Sequence, residues 1–235
     1  MANTTNQQQA AQTAEQSLNQ NEAFFIKYKK AVIATVVAIV VIITGVVLYK
    51  TYVSGPKEIK ASTAIAKGQQ LFMADNYQQA LNGDSASFKG FAKLADEFSG
   101  TAAGNLANLY AGLCYAHQAK PDWKKALEYV DKFSTGKDMI ISPASQMALG
   151  DIYANNDQLD KAVESFKKAA DMADSRAADD TNVSIAPLAL KKAALILESQ
   201  NKKAEALEIY KDIKAKYLNS PAYQDIDKYI ERVSE

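Results

Sequence analysis

The segment QMALGDIYANNDQLDKAVESFKKA, residues 146–169, decides the fold that we predict for this chain. Its small and large residues stand at fixed positions: Leu149, Gly150, Tyr153, Ala162, Phe166 and Ala169. This spacing is that of a tetratricopeptide repeat, a unit of about 34 residues in which two antiparallel helices are joined by a short turn. The segment therefore predicts a helix–turn–helix pair, with NNDQLD as the turn.

The spacing has a physical reason. Gly150 and Ala162 are small, so the two helices can cross closely at these positions. Large side chains such as Phe166 then fill the volume around the crossing. Asp160 stands where the second helix should begin, and we expect it to be the N-cap of that helix.

Weaker copies of the pattern occur on both sides of this unit. One covers residues 106–133 and another covers residues 188–213. A first copy includes Gly68, and we expect the segment LNGDSAS (81–87) to interrupt its second helix. Residues 217–233 predict a terminal helix that covers the open end of the stack. The predicted fold class is all-α, a tetratricopeptide-repeat-like solenoid of about four degenerate repeats. Another helical bundle is the alternative.

A second segment, AVIATVVAIVVIITGVVLY at residues 31–49, holds nineteen residues without a charge. As a helix it would be about 28 Å long, close to the roughly 30 Å of a bilayer's hydrocarbon core. A cleaved signal peptide has a shorter apolar core and a small-residue cleavage site, neither of which is found here. We therefore predict a single transmembrane helix with its flanks at residues 27–53. Ser54-Gly55-Pro56 is expected to break the helix or to form a brief linker.

The predicted transmembrane helix divides the chain into three parts. Residues 1–26 are polar and rich in Asn and Gln, and they predict a disordered tail. Residues 54–235 form the predicted repeat domain. The compact cluster KYKK at 27–30 favours a cytoplasmic N-terminus and an exported C-terminal domain, although lysines also follow the span. We expect a single-pass protein of the bacterial inner membrane with a periplasmic repeat domain.

Composition and motifs give little support for catalysis. The formal net charge is zero, which argues against nucleic acid as the main partner. The chain has one cysteine, Cys114, and one histidine, His117. Their spacing permits a Cys–His nucleophile pair, but core packing is the interpretation that we favour for Cys114. GTAAGN at 100–105 lacks the Lys-Ser/Thr of a phosphate-binding loop. We expect no enzyme activity, no cofactor and no metal site.

The remaining candidate is a binding surface. Stacked helix pairs present the first helix of each repeat along a concave groove. An apolar strip with polar ends would suit an extended or partly unfolded peptide, and burial of some leucines against the adjacent repeat is the alternative. The repeat register predicts these groove positions: Leu106, Leu109, Leu113, His117, Ala144, Met147, Asp151, Asn155, Leu188, Lys191, Leu195 and Glu198.

The order of these elements resembles the YfgM-like family, which are ancillary subunits of the bacterial SecYEG translocon. The likeness covers roughly residues 25–235. It rests on GNLANLYAGLCY (104–115), LGDIYANNDQLDKAVESFKKA (149–169) and AEALEIYKDIKAKYLNSP (204–221). The resemblance implies a periplasmic domain beside the translocon exit, which helps to pass secreted clients to chaperones, and it implies no catalytic residues.

Three hypotheses follow for the function. The first is a non-enzymatic, membrane-anchored interaction scaffold whose partners are translocon subunits, periplasmic chaperones or unfolded secretory clients. The second is a structural adaptor in cell-envelope assembly or division that binds folded partners. The third is an enzyme that uses Cys114 and His117.

Overall fold

The computed structural model describes residues 28–84 and 87–234. Helix makes up 77% of the structure, and the described residues include no strand. The predicted all-α fold class is confirmed. The chain divides into two units with the boundary between Pro56 and Lys57. The predicted disordered tail at residues 1–26 lies outside the described residues.

The first described helix, α1, comprises residues 28–49. The other elements follow in chain order: a π-helical segment Lys50–Ser54, α2 Gly55–Met73, α3 Tyr77–Asn82, α4 Phe91–Glu97, α5 Ala102–His117, α6 Trp123–Asp131, α7 Ile141–Asn155, α8 Leu159–Asp174, α9 Ala186–Ser199, α10 Lys203–Lys216, a 3₁₀ helix Pro221–Asp225 and α11 Ile226–Ser234.

In the first unit, α1 is apolar around its whole circumference. It belongs to the stretch Tyr28–Met73, the one described helix that is long and apolar enough to cross a membrane. None of its apolar window is buried by the rest of the described chain. A core helix of a soluble protein would be covered, so α1 is a candidate membrane span.

The expected helix break at Ser54-Gly55-Pro56 is wrong, because helical structure continues from Tyr28 to Met73. The turn before Pro56 widens instead, and the Gly55 N–H bonds to the Lys50 carbonyl oxygen. Proline has no N–H to donate, and a π-helical turn is a common way for a helix to accommodate such a loss.

In the second unit, the helices pack as consecutive antiparallel pairs, α5 with α6, α7 with α8, and α9 with α10. The predicted close crossing at Gly150 is confirmed: a Cβ atom there would lie 2.6 Å from Cε1 of the buried Phe166 ring. Gly112 has the same role in the preceding pair, where a Cβ atom would lie 2.4 Å from Val130 Cγ2. Only glycine allows such an approach without displacement of the neighbouring side chain.

The first repeat is irregular, as the segment LNGDSAS predicted. Its second helix is divided into α3 and α4. Between them, Gly83 and Gly90 have φ values of +91° and +88°, which side chains rarely adopt. The Asp84 carboxylate accepts hydrogen bonds from the backbone N–H groups of Ser87 and Phe88 and so links the residues that follow α3 to those that precede α4.

Two expected helix starts are wrong. Helix α8 begins at Leu159 with Gln158 as N-cap residue, and Asp160 lies inside its first turn. The Asp160 carboxylate instead accepts hydrogen bonds from Gln200 and Lys202, which lie about forty residues away. The C-terminal helix begins at Ile226 and not near residue 217, because Pro221–Asp225 form a separate 3₁₀ turn.

Candidate interaction groove

Helix α5 supplies one wall of an apolar groove. Leu106, Leu109 and Leu113 recur at helical spacing on one face of this helix, and Ala144 of α7 lies across from them. The groove encloses a cavity of about 290 Å³. The α5–α7 groove, as we call it, is lined by Phe72, Leu106, Leu109, Tyr110, Leu113, Ile140, Ile141, Ala144, Ser145 and Ala148.

The N-terminal end of α5 is held by residues from α2. The Glu58 carboxylate accepts hydrogen bonds from the Ala102 and Ala103 N–H groups at 2.7 and 2.9 Å. The Thr101 hydroxyl caps the same turn by accepting from the Gly104 N–H. A carboxylate at a helix N-terminus is favourable both as a hydrogen-bond acceptor and through the helix dipole. These contacts fix the register of α5 against α2 and thereby the position of the groove wall.

A lip of exposed apolar residues extends the groove. Met139, Ile140 and Ile141 are 51%, 69% and 45% exposed. Three consecutive large apolar side chains in water are unfavourable, since complete burial of each is worth about 1.5–3 kcal/mol and these side chains forgo roughly half of that. Such a patch on a folded surface is typical of a site that binds another molecule.

The lip is held in shape by Asp138. Its carboxylate accepts hydrogen bonds from the Ile140 N–H and from the N–H and hydroxyl of Ser142. Arg176 donates to the Asp138 carbonyl oxygen at 2.7 Å. Desolvation opposes ionisation of the Asp138 carboxyl group, but these hydrogen bonds outweigh it and lower the pKa of that group to about 2. The exposed apolar residues therefore sit on an ordered turn.

Sequence reasoning missed several groove residues. Phe72 belongs to the degenerate first repeat, and its ring packs edge-on against Tyr110 with 5.2 Å between centroids. Ile140 and Ile141 precede the repeat positions used for the register. The run MII at 139–141 is a signal that could have indicated them, because three apolar residues outside any amphipathic pattern need an explanation.

His117 does not line the cavity of the groove. Its imidazole ring stacks on the Tyr77 ring, with 5.3 Å between centroids and 26° between planes. The Phe72 ring packs edge-on against the same imidazole. The predicted groove position His117 is therefore placed in an aromatic cluster that adjoins the groove through Phe72.

The predicted positions on α7 beyond Ala144 have other neighbours. Met147 is half-buried and packs against the core of the third and fourth repeats. Asp151 forms an ion pair with Lys192 of α9 at 2.6 Å. Asn155 is exposed, and its side chain donates to the Asp151 carbonyl oxygen. None of the three lines the α5–α7 groove, and their part in binding stays a prediction.

The predicted groove positions on α9 are two exposed leucines and two charged residues that already have partners. Leu188 and Leu195 are exposed. Lys191 forms an ion pair with Asp225 at 2.7 Å, and Glu198 accepts hydrogen bonds from Arg232. These two charged residues contact the C-terminal helices, so their assignment to a partner-binding surface also stays a prediction.

The residues proposed for chemistry are explained by packing. Cys114 is completely buried, and desolvation raises the pKa of its thiol to about 12, so the nucleophilic thiolate is scarce at neutral pH. Within residues 28–84 and 87–234, no three His, Cys, Asp or Glu side chains cluster as a metal ion would require. What the arrangement provides is apolar surface for contact with another molecule.

The sequence matches the model of a known protein family. A family model described as a tetratricopeptide repeat-like domain matches residues 22–181, which is more than half of the chain. The chain belongs to this family. The match ends between α8 and α9, so it does not include the fourth helix pair, α9 with α10. No curated protein matches the chain.

Proposed function

We propose that this chain is a non-enzymatic, membrane-anchored interaction scaffold that acts on the exported side of the bacterial inner membrane. The observation that carries the proposal is the α5–α7 groove with its exposed lip, in a repeat unit that follows a candidate membrane span. Tetratricopeptide repeat-like domains present such surfaces to other proteins. The predicted division into a tail at 1–26, a span at 27–53 and a repeat domain at 54–235 is part of this proposal.

The finer assignment is an ancillary protein of the Sec translocon. The order of tail, apolar helix and degenerate repeats resembles the YfgM-like family, and this resemblance supports the assignment. The partners would be translocon subunits, periplasmic chaperones or emerging secreted clients. An emerging client exposes apolar side chains that the lip residues Met139, Ile140 and Ile141 can cover.

The size of the groove favours a second candidate function. A cavity of about 290 Å³ holds one or two large side chains and not a long unfolded segment. A short apolar motif from a folded partner would therefore also fit. This supports an adaptor that binds folded partners, for which we propose a role in cell-envelope assembly or division.

A binding experiment separates these functions. The full-length chain in dodecyl maltoside micelles is titrated with reduced, carboxymethylated α-lactalbumin, a permanently unfolded polypeptide, and is separately used to co-purify the translocon. The test variant is Ile140→Glu/Ile141→Glu, which puts two charges on exposed positions of the lip. The matched control is Leu218→Glu, because Leu218 is 59% exposed and lies in the turn after α10.

If the chain is a scaffold for unfolded clients, it should bind the unfolded probe. The double variant should bind this probe at least tenfold more weakly, and the control variant should bind it unchanged. When one anchoring side chain at the centre of an interface is lost, the binding free energy falls by about 2 kcal/mol. Binding of folded partners with indifference to the unfolded probe would support the adaptor. If neither probe nor translocon binds, the groove is not a binding surface of this kind and the proposal fails.

A further inference from the structure

A second surface feature lies at the turn between α5 and α6, in the segment QAKPDW (118–123) and the first turn of α6. An open cavity of about 500 Å³ is found there, bounded by Tyr115, Lys120, Trp123, Lys124 and Lys125 and by the Asn156 side chain of the next turn. None of these residues lines the α5–α7 groove. The feature therefore needs its own explanation.

The turn is built by specific hydrogen bonds. The Asp122 N–H donates to the Tyr115 carbonyl oxygen, and the Asp122 carboxylate caps α6 by accepting from the Lys125 N–H at 3.0 Å. The Asn156 amide donates to the Trp123 carbonyl oxygen at 3.0 Å and ties the turn to the next repeat. The longer turn is thus an ordered structure on which the lysines are mounted.

The charges of this cavity are unbalanced. Three lysine side chains and one carboxylate line it, and that carboxylate, of Asp122, caps the helix and lies 3.9 Å from Lys125 Nζ. Lys125 lies over the Tyr115 ring at 5.3 Å from its centroid. Lys120 and Lys124 are exposed and have no ion-pair partner among the residues that the structure describes. Lys120 and Lys124 therefore give the cavity a positive charge that attracts an anionic ligand.

Within the repeat unit, this cavity and the contact between α2 and α5 lie at opposite ends of α5. Glu58, near the start of the repeat unit, bonds to Ala102 and Ala103 at the first turn of α5. The cavity lies at the other end of α5, sixteen residues further on, which is about 24 Å along the helix. The residues that follow the candidate membrane span are therefore far from it.

We propose that this turn is a docking site for an acidic, extended segment of a protein partner, with Lys120 and Lys124 binding its carboxylates and Trp123 packing against its backbone and side-chain stems. A cavity of about 500 Å³ has room for two or three side chains of such a segment. The site is separate from the α5–α7 groove, so either can fail without the other.

Trp123 makes the proposal testable, because it is the only tryptophan in the chain. The full-length chain in dodecyl maltoside micelles at about 20 mM salt is titrated with a decaglutamate peptide, and Trp123 emission is recorded with excitation at about 295 nm. The test variant is Lys120→Gln/Lys124→Gln. The matched control is Lys167→Gln/Lys168→Gln, another pair of exposed lysines, on α8.

We expect a saturable change in Trp123 emission that disappears near 500 mM salt, since exposed charges are screened over about 4 Å there. Two exposed lysine–carboxylate contacts together correspond to an affinity change of about 2- to 25-fold, so the test variant should bind that much more weakly. The control variant should bind like the natural sequence.

Three results would overturn the proposal. The first is an emission that stays constant up to millimolar peptide. The second is a test variant that binds the peptide as tightly as the natural sequence does. The third is that Trp123 of the chain in proteoliposomes is quenched by brominated phosphatidylglycerol without peptide, which would assign the site to the bilayer surface.

Discussion

The substitution Gly150→Leu tests the helix crossing on which the third repeat depends. A Cβ atom at position 150 would lie 2.6, 2.7 and 2.9 Å from three atoms of the Phe166 ring. That ring is 1% exposed, so other residues enclose it. Leucine adds three further carbon atoms to this conflict, and overpacking of a well-packed core costs about 1–3 kcal/mol. Leucine has a higher helix propensity than glycine, and this offsets less than about 1 kcal/mol of the loss in stability.

The expected loss of 1–3 kcal/mol corresponds to a fall of about 2–12 °C in Tm for a unit of this size. Circular dichroism at 222 nm on the full-length chain in detergent measures it. Ala204→Leu is the control, since Ala204 is an exposed position of α10. The double variant Gly150→Leu/Phe166→Leu should lose less stability than the two single variants lose together, because the smaller side chain at position 166 relieves the clash. An unchanged Tm for Gly150→Leu would refute the crossing at this residue.

Other contacts give three further predictions. Glu58→Ala removes the acceptor for two N–H groups of α5, and we expect a loss of about 1 kcal/mol in a urea titration; an unchanged midpoint would show that the cap contributes nothing. Tyr217→Phe removes the hydroxyl that donates to the buried Asp174 carboxylate at 2.6 Å, for an expected loss of about 1.5–3 kcal/mol in the same titration; equal stability would contradict this pairing. The Asp138 carboxyl has its pKa lowered from 3.8 to about 2, so its contribution is complete above pH 3.8 and is lost as the pH falls towards 2. Because Asp138 is exposed, that contribution is below about 1 kcal/mol, and thermal unfolding from pH 5 to 2 should show a flatter curve for Asp138→Asn; parallel curves would argue against it.

What the sequence could predict was local. The crossing at Gly150 follows from small and large residues within one repeat, and such spacing directly reports which side chains of a helix pair meet. The same register puts Leu106, Leu109 and Leu113 on one face, and all three line the α5–α7 groove. The interrupted first repeat was also visible in the sequence, because Gly83 and its polar neighbours are unfavourable inside a helix.

What it could not predict depends on contacts between distant residues. Asp160 has the right chemistry for an N-cap, but Gln200 and Lys202 bind its carboxylate from the next helix pair. Lys191 and Glu198 share the register of groove positions, and the register does not reveal that the C-terminal helices contact them. A periodic pattern predicts which residues share one face of a helix, but not which other residues cover that face.

The pattern also gave no means to find the lip at residues 139–141. Met139 and Ile140 lie before α7 and Ile141 is its first residue, so the lip precedes the positions to which the repeat register applies. Asp138 and Arg176 hold this connection in place, and they are 38 residues apart in sequence. Sites on connections are defined by such tertiary contacts, so they become visible only in the structure.

Topology is the measurement that tests the central claim most directly. Single cysteines are placed at Asn6 and at the exposed Ala178 in a Cys114→Ala background, and cells with a permeabilised outer membrane are treated with a membrane-impermeant thiol reagent. The proposed scaffold predicts labelling at position 178 and none at position 6. Labelling at position 6 alone would place the repeats in the cytoplasm and contradict any role beside the translocon exit.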